Sequence, residues 1–178
     1  VPYGHFDVRI SPLDLNHAIT PGLFGIYVTF DGGHQWLQSQ GFVTRGEPVG
    51  YDAVIGPQDP MVWLVVGDNA AGSDPLAEPV SIYLSRDGGL NFQRVLSATA
   101  DNPFTTRTRL YVHPTNPDLL YFSFGSTEAQ SRLYRYDAST NTLTKQMWPY
   151  EQGVVSSIAF NPADTQYLYL GLSSAVAQ

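Results

Sequence analysis

The chain has 178 residues, of which 43% are hydrophobic and 13% aromatic, enough apolar material for one domain with a buried core. Sixteen acidic residues outweigh nine basic ones, so the net charge of −7 argues against nucleic acid as a partner. Cysteine is absent, which excludes disulfides, thiolate metal sites and cysteine nucleophiles, and no apolar run is long enough for a membrane-spanning helix.

Taken in chain order, the sequence consists of short strand-like segments separated by proline turns. The turns lie at Pro12, Pro57, Pro114 and Pro162, at spacings of 45, 57 and 48 residues. Four short strands fit into each interval, and apolar residues alternate with period two rather than forming a helical stripe. The pattern predicts one all-β domain of four-stranded antiparallel units at about 5–40, 51–97, 107–147 and 154–178, the last unit being incomplete.

A second motif lies between the proline turns. Residues 26–36 and 82–92 each alternate into an Asp-Gly-Gly turn and leave it with an aromatic residue, and residues 133–143 are a weaker copy without the glycine pair. Two turns fit the pattern Ser/Thr-x-Asp-x-Gly-x-x-Trp, with phenylalanine ending the second: Thr29, Asp31, Gly33 and Trp36, and Ser85, Asp87, Gly89 and Phe92. From about residue 6 to residue 171, the chain therefore resembles the Asp-box, or BNR-repeat, β-propellers of the sialidase, sortilin-type and xyloglucanase-type superfamily.

This resemblance implies a propeller of four-stranded blades, of which about three and a half are present. It also implies that the eight motif residues are structural, because Asp boxes lie away from the active-site face of such propellers. The chemistry of the turn agrees, since glycine adopts positive φ without strain and an aspartate accepts hydrogen bonds from the amides of its own turn. The fold itself is shared by enzymes and non-enzymes and does not assign an activity.

The functional residues are expected at the opposite end of the blades. In a four-stranded meander with strands A to D, the A–B and C–D turns share one end, and the B–C and D–A connections share the other, which we call the loop face. We place the B–C connections at about 16–22, 67–79 and 125–131, and the D–A connections at about 41–52, 98–107 and 147–153. Eight acidic residues and two arginines fall in these segments. The ligand-binding candidates are Asp68, Asp101, Arg107, Glu128, Trp148, Tyr150 and Glu151.

An acidic loop face with aromatic residues suits a neutral glycan or a basic protein partner, and ordinary solvated loops are the alternative interpretation. We favour a non-catalytic interaction or assembly propeller with no cofactor and no metal, because the four histidines are scattered and no triad or phosphate-loop motif occurs. The alternative is part of a glycoside hydrolase acting on neutral polysaccharide. A sialidase is disfavoured, because the loop face has too few arginines to clamp a carboxylate.

The fourth unit stops after two strands. Since an open blade leaves unpaired strand edges, we expect either that the 178 residues are a fragment or that another segment or a further copy completes the propeller. The 178 residues contain no signal-peptide pattern. We nevertheless expect an extracellular or cell-surface location.

Overall fold

The computed structural model describes residue 4 and residues 7–57, 61–68, 77–102, 105–124, 131–146 and 153–173. These residues form β-strands, turns and connections, with no helix among them, and therefore none that could cross a membrane. Three sheets have four strands and one has two, and neighbouring strands are antiparallel. This confirms the predicted all-β architecture of four-stranded antiparallel units, about three and a half of which are present.

Each sheet is a meander whose strands follow one another in chain order. The first sheet comprises β1 (Arg9–Ile10), β2 (Ala18–Gly22), β3 (Gly25–Thr29) and β4 (Leu37–Gln38). The second comprises β5 (Pro48–Ile55), β6 (Val62–Asp68), β7 (Ser81–Ser85) and β8 (Gln93–Ser97). The third comprises β9 (Arg109–His113), β10 (Asn116–Phe124), β11 (Arg132–Asp137) and β12 (Thr142–Gln146). The two-stranded fourth sheet comprises β13 (Val154–Phe160) and β14 (Leu168–Ser173).

Strand β6 explains how the sheets stack. Its side chains point alternately to opposite sides of the second sheet. Val62, Leu64 and Val66 pack against the first sheet, and Trp63 and Val65 pack against the third. Because both faces are covered, every residue of β6 is buried and the strand is a continuous apolar run.

The hydrophobic core is divided into layers between consecutive sheets. One cluster joins the first and second sheets, a second joins the second and third, and a third joins the third and fourth. The first strands of neighbouring sheets also lie together, β1 beside β5 and β5 beside β9. The contacts between neighbouring sheets therefore concentrate on the first strand of the following sheet, and the fourth strands take little part in them.

Two predicted loop boundaries are wrong. Residues 18–22, placed in a connection, form β2, and the connection is the turn at residues 23–24. Strand β2 can contain Pro21 because β1 pairs only with Ala18 and Ile19, so Pro21 lies beyond that ladder and no backbone donor is missed there. The connection predicted at 41–52 is likewise shorter than predicted, because β5 begins at Pro48.

Candidate functional site

The two Asp-Gly-Gly turns have the same hydrogen-bond geometry. In the first turn (residues 29–36), the Thr29 hydroxyl donates to Asp31 Oδ1 at 2.8 Å and accepts from the Gly33 amide at 2.9 Å. In the second turn (residues 85–92), the Ser85 hydroxyl does the same with Asp87 and Gly89, at 2.7 and 2.9 Å. All four glycines have φ between 71° and 96°. The hydroxyl, aspartate and glycine residues of the motif are thus hydrogen-bonded to each other within each turn.

The second Asp-Gly-Gly turn also joins two sheets. The Gly88 carbonyl lies 2.7 Å from His17 Nε2, and the Gly89 carbonyl accepts a 2.5 Å hydrogen bond from the Ser39 hydroxyl. The His17 ring stacks on Phe30, with centroids 5.0 Å apart. Gly88 and Gly89 are consequently buried, whereas the corresponding Gly32 and Gly33 of the first turn are exposed and half-buried. The end of the second sheet that carries the Asp-Gly-Gly turn therefore contributes to packing between the first and second sheets.

Hydrogen bonding keeps the turn carboxylates ionised. The Gln35 amide and the Thr29 hydroxyl hold the pKa of Asp31 below its ordinary value. Burial raises the pKa of Asp87, but hydrogen bonds from Asn91 and Ser85 outweigh it and lower the pKa overall. A carboxyl with these properties is a hydrogen-bond acceptor and not a proton donor at neutral pH.

Replacing Asp87 by asparagine is expected to lower the free energy of unfolding by about 1 kcal/mol. Both Asp87 oxygens accept hydrogen bonds, Oδ1 from Ser85 and the Asn91 amide and Oδ2 from the Asn91 side chain. Either orientation of the new amide therefore turns its NH2 towards a donor. Asp31→Asn is the matched variant and should destabilise less. Both hydrogen bonds to the Asp31 side chain end on Oδ1, so the NH2 of asparagine can take the position of the other oxygen. Urea denaturation tests this, and equal midpoints for both variants and the wild type would contradict it.

Acid should destabilise the chain through the same groups. The Ser139 hydroxyl lowers the pKa of Asp137, so three turn carboxyls have lowered pKa values in the folded state. A carboxyl of this kind contributes stability above its unfolded pKa of about 3.9, and that contribution is lost as the pH falls through the folded pKa. We expect the urea midpoint to fall from about pH 4.5 downward, less steeply in Asp87→Asn. A midpoint that rises on acidification would refute this account.

At the loop face, two acidic residues are buried and accept hydrogen bonds from backbone amides. Asp52, on β5, is 6% exposed, and its oxygens lie 3.2 Å from Arg9 Nη2 and 2.8 Å from the Leu110 amide. It therefore joins β1, β5 and β9. Asp68, at the end of β6, is 2% exposed and accepts from the backbone amides of Arg45 and Gly46, at 2.8 and 3.2 Å. The carboxylates of Asp52 and Asp68 are thus buried and bonded to groups of the fold.

The other predicted binding residues are placed as follows. Asp101 and Arg107 are exposed and lie in the connection between β8 and β9. Glu128, Trp148, Tyr150 and Glu151 lie outside the described residues. The binding role of all seven candidates stays a prediction, and the buried, amide-bonded carboxylate of Asp68 favours a structural role for that residue.

The described part of the loop face is less acidic than the sequence suggested. Glu78 pairs with Arg94 at 2.7 Å, and Asp52 and Asp68 are buried. The exposed charged residues of its described connections are Glu47, Asp101, Arg45 and Arg107, two of each sign. Counting carboxylates in the sequence overestimated the surface charge, because burial depends on partners from distant strands.

A cavity of about 570 Å³ opens at the loop face beside the third sheet. The connection between β8 and β9 forms one wall and strands β11 and β12 form the other. Its lining residues are Ala100, Asp101, Asn102, Arg132, Tyr134, Leu143 and Lys145. Asp101 is the one predicted candidate among them. The others were missed, although Arg132 and Tyr134, and Leu143 and Lys145, are spaced by two and so share a strand face. No group of three or more potential metal ligands occurs in the described segments.

Comparison with known proteins gives one sequence relative and many structural ones. No protein-family model matches the sequence. The chain is 35% identical over 126 residues to the dispase autolysis-inducing protein of Streptomyces mobaraensis, an alignment that covers 68% of this chain and 33% of that protein. The chain thus spans about a third of the length of this curated relative.

Solved structures resemble the chain in fold. The GH74 xyloglucanase from Xanthomonas campestris matches 97% of this chain and 27% of its own, with a TM-score of 0.61 and 15% identity. YCF48 bound to D1 peptide matches 89% of this chain and 44% of its own, with a TM-score of 0.58 and 15% identity. At these identities the likeness establishes the fold alone, which is that of β-propeller blades.

Proposed function

We propose that the chain is part of a non-catalytic Asp-box β-propeller that binds a protein partner through its loop face. The relative from Streptomyces mobaraensis carries the proposal, because its name describes an effect on another protein, the autolysis of dispase. The two turns whose residues fit the Asp-box pattern support the family assignment, since they share one hydrogen-bond geometry. An extracellular or cell-surface location belongs to the same proposal.

The roles of the described acidic residues favour binding over catalysis. A glycoside hydrolase needs two carboxyl groups facing each other across a substrate cleft. In the described part of the loop face, Asp52 and Asp68 are the buried carboxylates, and both accept hydrogen bonds from backbone amides. Residues with these bonds position strands and connections, and the connections they hold are where a partner would bind.

A protein partner is preferred to a neutral glycan because the relative's name concerns a protein. Dispase is therefore the partner to test first. We expect the 178-residue chain to increase the rate at which intact dispase disappears, saturably with chain concentration, as followed by gel densitometry. An unfolded variant of the same chain is the matched control. An unchanged rate at saturating concentration would contradict a function shared with the relative.

The enzymatic alternative has its own test. Part of a carbohydrate-active propeller would release reducing ends from xyloglucan, the substrate class named for one structural neighbour. We expect no release above the buffer control. Release that is abolished by mutation of a loop-face carboxylate would overturn the non-catalytic proposal, whatever the dispase result.

A further inference from the structure

The cavity at the loop face contains two cations with no acidic partner among the described residues. Arg132 and Lys145 line the cavity, and in the described segments no carboxylate oxygen lies within 4.0 Å of either side chain's nitrogens. Four arginines of the described segments are ion-paired: Arg9, Arg86, Arg94 and Arg135. Lys145 is the single lysine of the chain. Two positive charges and the one negative charge of Asp101 make this cavity net positive in a protein of net charge −7.

Strand register places these cations together. Arg132 and Tyr134 are two residues apart on β11, so they share a face. Lys145 lies opposite Tyr134, and Leu143 lies opposite Tyr136, which puts all of them on one face of the third sheet. The Tyr134 ring stacks on Phe122 and Phe124, with centroids 5.4 and 5.8 Å apart, and is 4% exposed. The floor between the two cations is therefore fixed by the core.

The Arg132 guanidinium retains donors for a ligand. Among the described residues one hydrogen bond holds it, from Nη1 to the Ser131 carbonyl at 2.7 Å. A guanidinium has five N–H donors in a planar fork that matches a carboxylate. The opposite wall contributes Asp101 and Asn102, whose side chains accept and donate hydrogen bonds as sugar hydroxyls require.

We propose that this cavity binds a small sugar that carries a carboxylate, of the uronic acid class. The carboxylate would pair with Arg132 and Lys145, the hydroxyls would bond to Asp101 and Asn102, and Leu143 would contact the apolar face of the ring. The volume of about 570 Å³ lies within the range of small-molecule sites. This inference goes beyond the proposed function and does not depend on the protein partner.

The experiment is a titration of the 15N-labelled 178-residue chain with D-glucuronate, followed through the amide signals of β11 and β12. D-Glucose is the neutral control, and inorganic phosphate is the control for a simple anion site. We expect a Kd of about 1 mM for glucuronate, since both cations are partly solvated. Glucose and phosphate should bind at least several-fold more weakly.

Three variants locate the binding. Arg132→Gln and Lys145→Gln should each weaken glucuronate binding by about three- to tenfold, as expected for the loss of one partly exposed charged contact. Arg135→Gln is the matched control, because Arg135 lies on the other face of β11, with its Nη2 3.8 Å from Asp137 Oδ2. The affinity of this variant for glucuronate should equal that of the wild type. Unchanged amide spectra outside the site verify folding.

Three results would overturn the proposal. The first is glucuronate binding no tighter than glucose. The second is wild-type affinity in both Arg132→Gln and Lys145→Gln, which would place the binding elsewhere. The third is phosphate binding as tightly as glucuronate, which would reduce the cavity to an unspecific anion site.

Discussion

Replacing Gly41 by alanine is expected to lower the free energy of unfolding by about 3 kcal/mol or more and to abolish cooperative folding in a marginally stable chain. Gly41 has φ of 92°, where a side chain is strained, and an added Cβ would overlap the Phe92 carbonyl oxygen. Backbone hydrogen bonds fix this approach, from the Gln40 amide to Leu90 at 2.9 Å and from the Phe92 amide to Gln40 at 2.8 Å. The clash can be relieved only by separating the first sheet from the second Asp-Gly-Gly turn.

Gly56→Ala provides the matched control for this effect. Gly56 has no positive φ, and the nearest atom to an added Cβ is the Met61 carbonyl oxygen at 3.4 Å. This variant should change the free energy of unfolding by less than about 1 kcal/mol. Urea denaturation followed by tryptophan fluorescence measures both variants. Equal stabilities would mean that the contact between Gly41 and Phe92 is not part of the folded state.

Replacing Trp63 by alanine is expected to lower the free energy of unfolding by about 3–5 kcal/mol. Trp63 is fully buried between the second and third sheets and packs edge-on against Tyr136, with centroids 6.1 Å apart. Its indole Nε1 donates to the Pro117 carbonyl at 3.0 Å. Alanine would therefore leave a cavity in the core layer between the second and third sheets and an unbonded carbonyl beside it.

Two further variants separate the contributions. Trp63→Phe keeps most of the volume and loses the indole hydrogen bond, so its cost should be clearly smaller than that of alanine. Trp36→Ala removes a half-buried tryptophan from the first Asp-Gly-Gly turn, and we expect a loss of about 1 kcal/mol. If Trp63→Ala were no more destabilising than Trp36→Ala, the packing of the second sheet on the third would not be the main core of the chain.

The fold could be predicted because the sequence patterns that indicate it are local and recur in each unit. Alternation with period two and the spacing of four proline turns follow directly from the chain, and they correctly indicated sheets of four antiparallel strands. The errors arose where partners are distant. The segment containing Pro21 resembles a turn until the shortness of β1 is known, and nothing local shows that β5 already begins at Pro48.

The candidate site was less predictable for the same reason. The carboxylates of Asp52 and Asp68 look like surface acids in the sequence, but they are bonded to residues 58 and 23 positions away, respectively. The cavity with Arg132 and Lys145 forms between one connection and two strands, and only the register of β11 and β12 brings the residues of its strand wall together. Strand spacing could have suggested this face, but it could not show that Arg132 and Lys145 have no acidic partner among the described residues.

We propose that the two ends of the blades have different roles, packing at the Asp-Gly-Gly turns and binding at the loop face. Hydrogen exchange of the chain with and without inhibited dispase tests this division of roles, with a protein that binds neither as the control. We expect added protection in the loop-face connections, residues 41–47, 77–80 and 98–102, and none in the turns at 30–36 and 86–92. Protection confined to the turns, with the connections unchanged, would contradict the claim.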